Sequence, residues 1–223
     1  MTGLVRKATL FAVCGLLAAS AAFASVPSPA NSTTPPCVRL VGNNGAVADP
    51  AGTFTVTVRD LANLPINNSL VVIDFSGCSG LVICNSNAFD PASTVDCGTQ
   101  TVRKFTGVGG TATFTILGHA NNSGGNQPPY GSYNSGKIFA DGVLLFSPSV
   151  SAFDHDGSGL GPADLAAWLG DFFNGNNPSR SDYDCTGAPL GPSDLSTWLG
   201  VFFAGGSGQN CPGNPVPQCS VIP

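Results

Sequence analysis

Thr53-Phe54-Thr55-Val56-Thr57-Val58-Arg59 alternates apolar and hydroxyl-bearing side chains without a break. Period-2 alternation places Phe54, Val56 and Val58 on one face and the threonines on the other, as in a strand with one buried side. β-Branched Thr and Val also pack well on a pleated surface. Working outward, the same signal recurs in short runs at 37–41, 70–75, 101–105, 111–117, 136–140 and 143–147, divided by Gly, Asn, Pro and Asp. Seven short strands of this kind predict a β-sandwich. Asp141-Gly142 lies between Lys137-Ile138-Phe139-Ala140 and Val143-Leu144-Leu145-Phe146, the residues and spacing of a two-residue hairpin turn. The stretches 76–98 and 119–135, rich in Gly, Asn and Ser, are expected as long loops. The fold class is therefore mainly β: a sandwich over 37–152, then a small helical module over 153–204 and a Cys/Pro/Gly-rich tail over 205–223.

The N-terminal end has Arg6 and Lys7, an apolar run from Ala8 to Ala22, and Ala22-Phe23-Ala24. This is the layout of a secretory signal peptide, here 1–24, followed by a linker at 25–36. The run falls short of the roughly 20 residues of a spanning helix, so an exported protein, extracellular or at the cell surface and with no membrane span, is expected. Only six basic residues follow the signal (Arg39, Arg59, Arg103, Lys104, Lys137 and Arg180), and they are scattered, which argues against nucleic acid as a partner. All 13 acids are Asp, and seven lie between Asp154 and Asp194, a concentration that points to a cation.

Seven cysteines follow the signal: Cys37, Cys78, Cys84, Cys97, Cys185, Cys211 and Cys219. In an exported chain they read as disulfides. Zinc is the alternative, but there is no close Cys pair and the histidines are His119 and His155 alone. Cys78 with Cys84 would close a short loop and Cys185 with Cys211 would tie back the tail. The spacing leaves connectivity open, and the odd number leaves one cysteine over.

The segment from Leu160 to Phe173 recurs from Leu190 to Phe203, with ten of fourteen positions identical at an offset of 30. Two copies of one unit are expected to pack their apolar faces together. Leu165, Trp168, Leu169 and Phe172, and again Leu195, Trp198, Leu199 and Phe202, fall at i, i+3, i+4 and i+7 of a helix, so both tryptophans read as core. Pro162 and Pro192 suit the first helical turn. Each helix follows a loop of alternating oxygen donors. In the first these are Asp154, Asp156, Ser158, the Leu160 carbonyl and Asp164; in the second, Asp182, Asp184, Thr186, the Ala188 carbonyl and Asp194. A Ca2+ ion takes six to eight oxygens, and an EF-hand-like loop supplies them from positions 1, 3, 5, 7 and 12 around a glycine at 6. Gly159 and Gly187 both fall at that sixth position. Asx turns and acids in a first helical turn also form without an ion; two copies with the glycine in phase favour calcium. Counted inclusively the loops run to 11 and 13 residues instead of 12. His155, between two ligands, is expected to face solvent.

Two resemblances add to this reading. Val56-Thr57-Val58-Arg59-Asp60 with Asn63 and Pro65, then Val71, Ile73 and Phe75, then Gly107 and Gly109 to Phe114, resembles bacterial immunoglobulin-like repeats of the invasin and adhesin type. That resemblance implies an immunoglobulin-like β-sandwich serving as spacer or adhesive surface. The loop-plus-helix pair over 153–204 resembles dockerin type I repeats, which implies an EF-hand-like, duplicated, calcium-binding module and a cohesin-like or cell-surface protein as partner. No nucleophile, base or carboxylate pair forms a recognisable catalytic motif, so a non-enzymatic attachment protein is expected. The alternative is an accessory component of a polysaccharide-degrading assembly whose sandwich binds polysaccharide.

Overall fold

The computed structural model of the chain describes residues 25–85, 89–121, 133–175, 179–208, 211, 219–220 and 222. The expected signal peptide and most of 119–135 lie outside them. The described chain is mainly β. Its strands are β1 (Cys37–Leu40), β2 (Asn43–Asn44), β3 (Val47–Ala48), β4 (Thr53–Thr57), β5 (Leu70–Asp74), β6 (Leu81–Ile83), β7 (Thr94–Asp96), β8 (Thr101–Phe105), β9 (Thr111–Thr115), β10 (Gly118–Ala120), β11 (Lys137–Ala140), β12 (Val143–Phe146) and β13 (Ser149–Ala152). Two helices follow, α1 (Pro162–Phe173) and α2 (Pro192–Phe203).

The largest sheet has the order β12-β11-β5-β8-β7, antiparallel throughout. Apolar β5 is its middle strand, where Ile73 faces Ile138 on one side and Val102 on the other. The β11–β12 hairpin turns at Asp141-Gly142, with Ala140 opposite Val143. Both turn residues have positive φ, 47° and 82°, as a turn matched to strand twist requires. The other strands form antiparallel β4–β9 and β6–β10 pairs and a parallel β1–β13 pair, and a bridge from Val41 to Leu117 joins β1 to the β9–β10 run. The quoted alternation plays out across β4 and β9: Phe54 stacks on Phe114 at 5.4 Å, while Thr53–Thr115 and Thr55–Thr113 share hydroxyl hydrogen bonds of 2.8 Å on the opposite face. Val71, Ile73, Val102, Ile138 and Leu145 from the large sheet share one buried cluster with Val38, Val56, Phe114 and Val150 from the other strands. The large sheet and the smaller strand pairs thus share one core.

Six strands escaped the sequence pattern. β2, β3 and β7 are only two or three residues long, too short to show a period, and β7 falls in the expected 76–98 loop. The other three, β6 and β10, which fall wholly or partly in the expected loops, and β13, are buried along their whole length. A strand covered on both faces loses polar alternation and with it the period-2 signal. The expected linker also has structure. Thr33 pairs with Thr57 of β4, and Ser28 N–H donates to the Arg59 carbonyl at 2.7 Å.

The two helices pack against residues of the β region. Trp168, Trp198 and Tyr183 share a second buried cluster with Phe153, Val41, Leu117, Cys84 and Cys211. Trp198 Nε1–H donates to the Phe153 carbonyl at 3.2 Å. The tryptophans are core, as their helical stripe requires, but the repeat covers its apolar faces with sandwich residues as well as with its own. Asp49, buried beside β3, holds the segment after α2 by accepting bonds from the Ser207 backbone N–H and from its hydroxyl, the latter at 2.9 Å. Among the described residues no helix is long and apolar enough to cross a membrane.

Two disulfides reinforce this contact, Cys37–Cys185 and Cys84–Cys211, and a third, Cys97–Cys219, lies at the first cluster. They replace both pairs that spacing invited. Cys78 belongs to the sandwich cluster and Cys84 to the cluster under the helices, so their nearness in sequence does not bring the sulfurs together. Cys185 bonds to the first strand instead of the tail. Cys78 is the cysteine left over; it is buried, its thiol is pushed up to about 11 by burial, and the Ser135 hydroxyl donates to its Sγ at 3.4 Å.

Candidate metal centre

Both acidic loops lie at the junction between β13 and the helices. In each, the left-handed backbone needed to wrap a loop round a centre appears at the fourth and sixth positions: Gly157 (φ 81°) and Gly159 (92°) in the first, Cys185 (66°) and Gly187 (84°) in the second. Glycine tolerates that region freely. Cys185 is held there while bonded to Cys37.

The loops close on their own carboxylates. Asp154 accepts N–H bonds at Oδ1 from Asp156 (2.9 Å) and Gly157 (2.6 Å), and at Oδ2 from Gly159 (2.5 Å). Asp182 Oδ2 accepts from Gly187 at 3.1 Å. Asp156 and Asp184 accept at 2.9 Å from Ser158 and Thr186. Pro162 and Pro192 open the two helices. Asp164 and Asp194 stand two residues further on, where each carboxylate accepts from the N–H of the preceding Gly161 or Gly191 at 2.7 and 2.8 Å and meets the positive end of the helix. The other oxygen of each reaches back to the second loop position, accepting from His155 N–H at 2.6 Å and from Tyr183 N–H at 2.8 Å.

Ligand oxygens of Asp154, Asp156 and Asp164 all lie within 4.8 Å of one another, and so do those of Asp182, Asp184 and Asp194. Oxygens on opposite sides of a Ca2+ ion stand about 4.6–5.2 Å apart, twice the Ca–O distance, so both triads have the span of one hard cation. The unequal loop lengths do not separate the ligands, because the difference falls between the sixth-position glycine and the helix, after the first and third ligands. Loop 1 crosses that gap with Leu160-Gly161 and loop 2 with Ala188 to Gly191.

Asp182 is 1% exposed, and its Oδ1 has no hydrogen-bond partner among the described residues. A buried carboxylate oxygen without a partner costs free energy that a cation would recover. Burial and the neighbouring Asp194 charge raise Asp182 to about 6. Burial also raises Asp164 to about 6, with the Asp154 charge adding to it, and burial raises Asp194. The Arg39 guanidinium on β1 lies near enough for the charges of Asp182, Asp184 and Asp194 to act on it.

These shifts fix a pH dependence. A carboxyl group whose folded pKa is raised contributes stability that is complete below its unfolded value near 4 and is lost as pH rises through about 6. His155 acts the other way, because burial lowers its pKa to about 3 and its contribution therefore rises with pH up to an unfolded value near 6.5. The three raised carboxyls, Asp164, Asp182 and Asp194, outnumber it, so in metal-free buffer the thermal midpoint is expected to fall between pH 5 and pH 7, which calorimetric scans at the two values would read directly. A midpoint that rises over that interval would contradict the raised values.

His155 does not face solvent. It is fully buried, and its Nε2 is 2.9 Å from the Tyr183 hydroxyl, so the second positions of the two loops touch. Burial, with the Arg180 charge, lowers its pKa to about 3, so the ring is neutral. No local pattern signals this contact, since an odd position between alternating ligands looks solvent-facing until the second loop is placed against it. Beside it, Asp171 near the end of α1 forms a buried two-point ion pair with Arg180, through Nε (2.8 Å) and a terminal nitrogen (2.7 Å), and accepts from the Ser181 hydroxyl at 2.6 Å. This group also went unrecognised; its one sequence signal is the replacement of Asp171 by Val201 in the second copy.

Compared with protein-family models, curated proteins and solved structures, the chain finds no match.

Proposed function

We propose that the chain is an exported, non-catalytic calcium-binding protein: a dockerin-like, EF-hand-like loop pair fixed on an immunoglobulin-like sandwich, with the module serving for attachment to another protein. The observation that carries the calcium reading is the buried, unpartnered Oδ1 of Asp182 within a triad of carboxylates spaced for one hard cation. The oxygen-only donor set excludes no coordination position that Ca2+ needs and offers nothing soft. Asp154, Asp156 and Asp164 would hold one ion and Asp182, Asp184 and Asp194 the other, with Ser158, Thr186 and the carbonyls of Leu160 and Ala188 as the remaining donors.

Export is supported by three disulfides, which persist in oxidising compartments. The attachment role is supported by the helix ends. Each closes in a phenylalanine pair whose second member projects from the surface, Phe173 at 77% and Phe203 at 79% exposed. Exposed aromatics repeated at equivalent places suit a protein contact.

Asp182→Asn tests the reading while keeping shape. Calcium is expected to raise the thermal midpoint of the native chain, and the variant is expected to bind one ion fewer and to lose part of that rise. An equal rise in both proteins would contradict the assignment of the second loop.

A further inference from the structure

His155 and Tyr183 occupy the same place, the second position, in two loops 28 residues apart. Their backbones do the same work: each N–H donates to the helix-start aspartate of its own loop, Asp164 or Asp194. Their side chains then meet, both fully buried, in a hydrogen bond of 2.9 Å. The result is one continuous path: Asp164 carboxylate, His155 peptide, imidazole, Tyr183 phenol, Tyr183 peptide, Asp194 carboxylate. Tyr183 is fixed sideways as well, stacked on Phe153 at 5.0 Å where β13 leaves the sandwich.

Resting on the calcium reading above, we infer that the His155–Tyr183 hydrogen bond couples the two cation sites, so that an ion in one loop raises the affinity of the other. The path begins and ends on a ligand of each ion. An ion that draws Asp164 inward fixes the His155 peptide bonded to it, and the imidazole can follow only by carrying the phenol with it, because close-packed surroundings leave neither ring room to move alone. The Tyr183 peptide then presents Asp194 in its ligating position before the second ion arrives. By linkage the effect is reciprocal. His155 and Tyr183 act here as positioning residues and touch no ion.

Calorimetric calcium titrations of the full chain test this. Asp154→Asn and Asp182→Asn each leave one site, and the two variants together give the affinities of the isolated sites. In the native chain the product of the two stepwise affinities is expected to exceed the product of the isolated-site values by about fivefold or more, the lower end of ordinary coupling. In a Tyr183→Phe background, which keeps the ring and its stacking, the two products are expected to be equal. A purely structural tyrosine would weaken both sites but leave the excess in place, and that result overturns the inference. Two ions bound by the native chain without any excess also overturns it while leaving the calcium reading intact. No ion bound by the native chain overturns both.

Discussion

Full reduction of the three disulfides is expected to unfold the chain at about 37 °C, since removing even one native bridge from a small exported domain typically costs about 2–5 kcal/mol. The bridges here close very long loops, with partners 148, 127 and 122 residues apart, which is where cross-linking restricts the unfolded chain most. Each also reaches across a join in the fold. Cys37–Cys185 ties the first strand to the second acidic loop, and the other two hold tail cysteines against residues of the 76–98 stretch. Replacing Cys37 and Cys185 by Ser is expected to cost about 2–5 kcal/mol in urea unfolding. The same variant should weaken cation binding in the second loop and leave the first unchanged, because Cys185 lies between Asp184 and Thr186. Uniform weakening of both loops would contradict a local role for this bridge.

Breaking the Asp171–Arg180 pair from one side is expected to cost about 3–5 kcal/mol, because it strands a charge where there is no water to solvate it. The two side chains are 7% and 3% exposed. Arg180→Met leaves the Asp171 carboxylate with only the Ser181 hydroxyl and its remaining neighbours. The double variant Asp171→Val with Arg180→Met is expected to regain most of the loss, since an apolar pair of similar volume often replaces a buried ion pair at little cost. The second copy of the repeat supports that exchange, because Val201 stands where the first has Asp171 and packs with the cluster under the helices. A single variant costing under about 1 kcal/mol would show that water reaches the pair.

The parts of this fold legible in the sequence are those where one face of an element meets solvent. The alternation of β4, the Asp-Gly hairpin and the helical stripes of Trp168 and Trp198 all describe a boundary between core and water, and all reappear in place. Where both faces are covered the pattern vanishes: β6, β10 and β13 carry no alternation because they have no wet side, while β2, β3 and β7 are two or three residues long and too short to show one. Disulfide partners were illegible for a related reason, since pairing depends on which cluster a cysteine joins, and Cys78 and Cys84 join different ones despite six residues of separation. The acidic loops were legible as donor sets because glycine at the sixth position and proline at the helix start are local requirements. Their assembly was not. His155 looked solvent-facing, and Asp171 with Arg180 looked like unrelated charges, because both depend on where the second loop comes to rest against the first.

The most direct measurement is a calorimetric calcium titration of the native chain at neutral pH after exhaustive chelation. Saturation at two ions per chain is the expected result, with Asp154, Asp156 and Asp164 around one and Asp182, Asp184 and Asp194 around the other. No heat of binding up to millimolar calcium would contradict it, and would leave the two acidic triads as turns that carry their buried charge uncompensated.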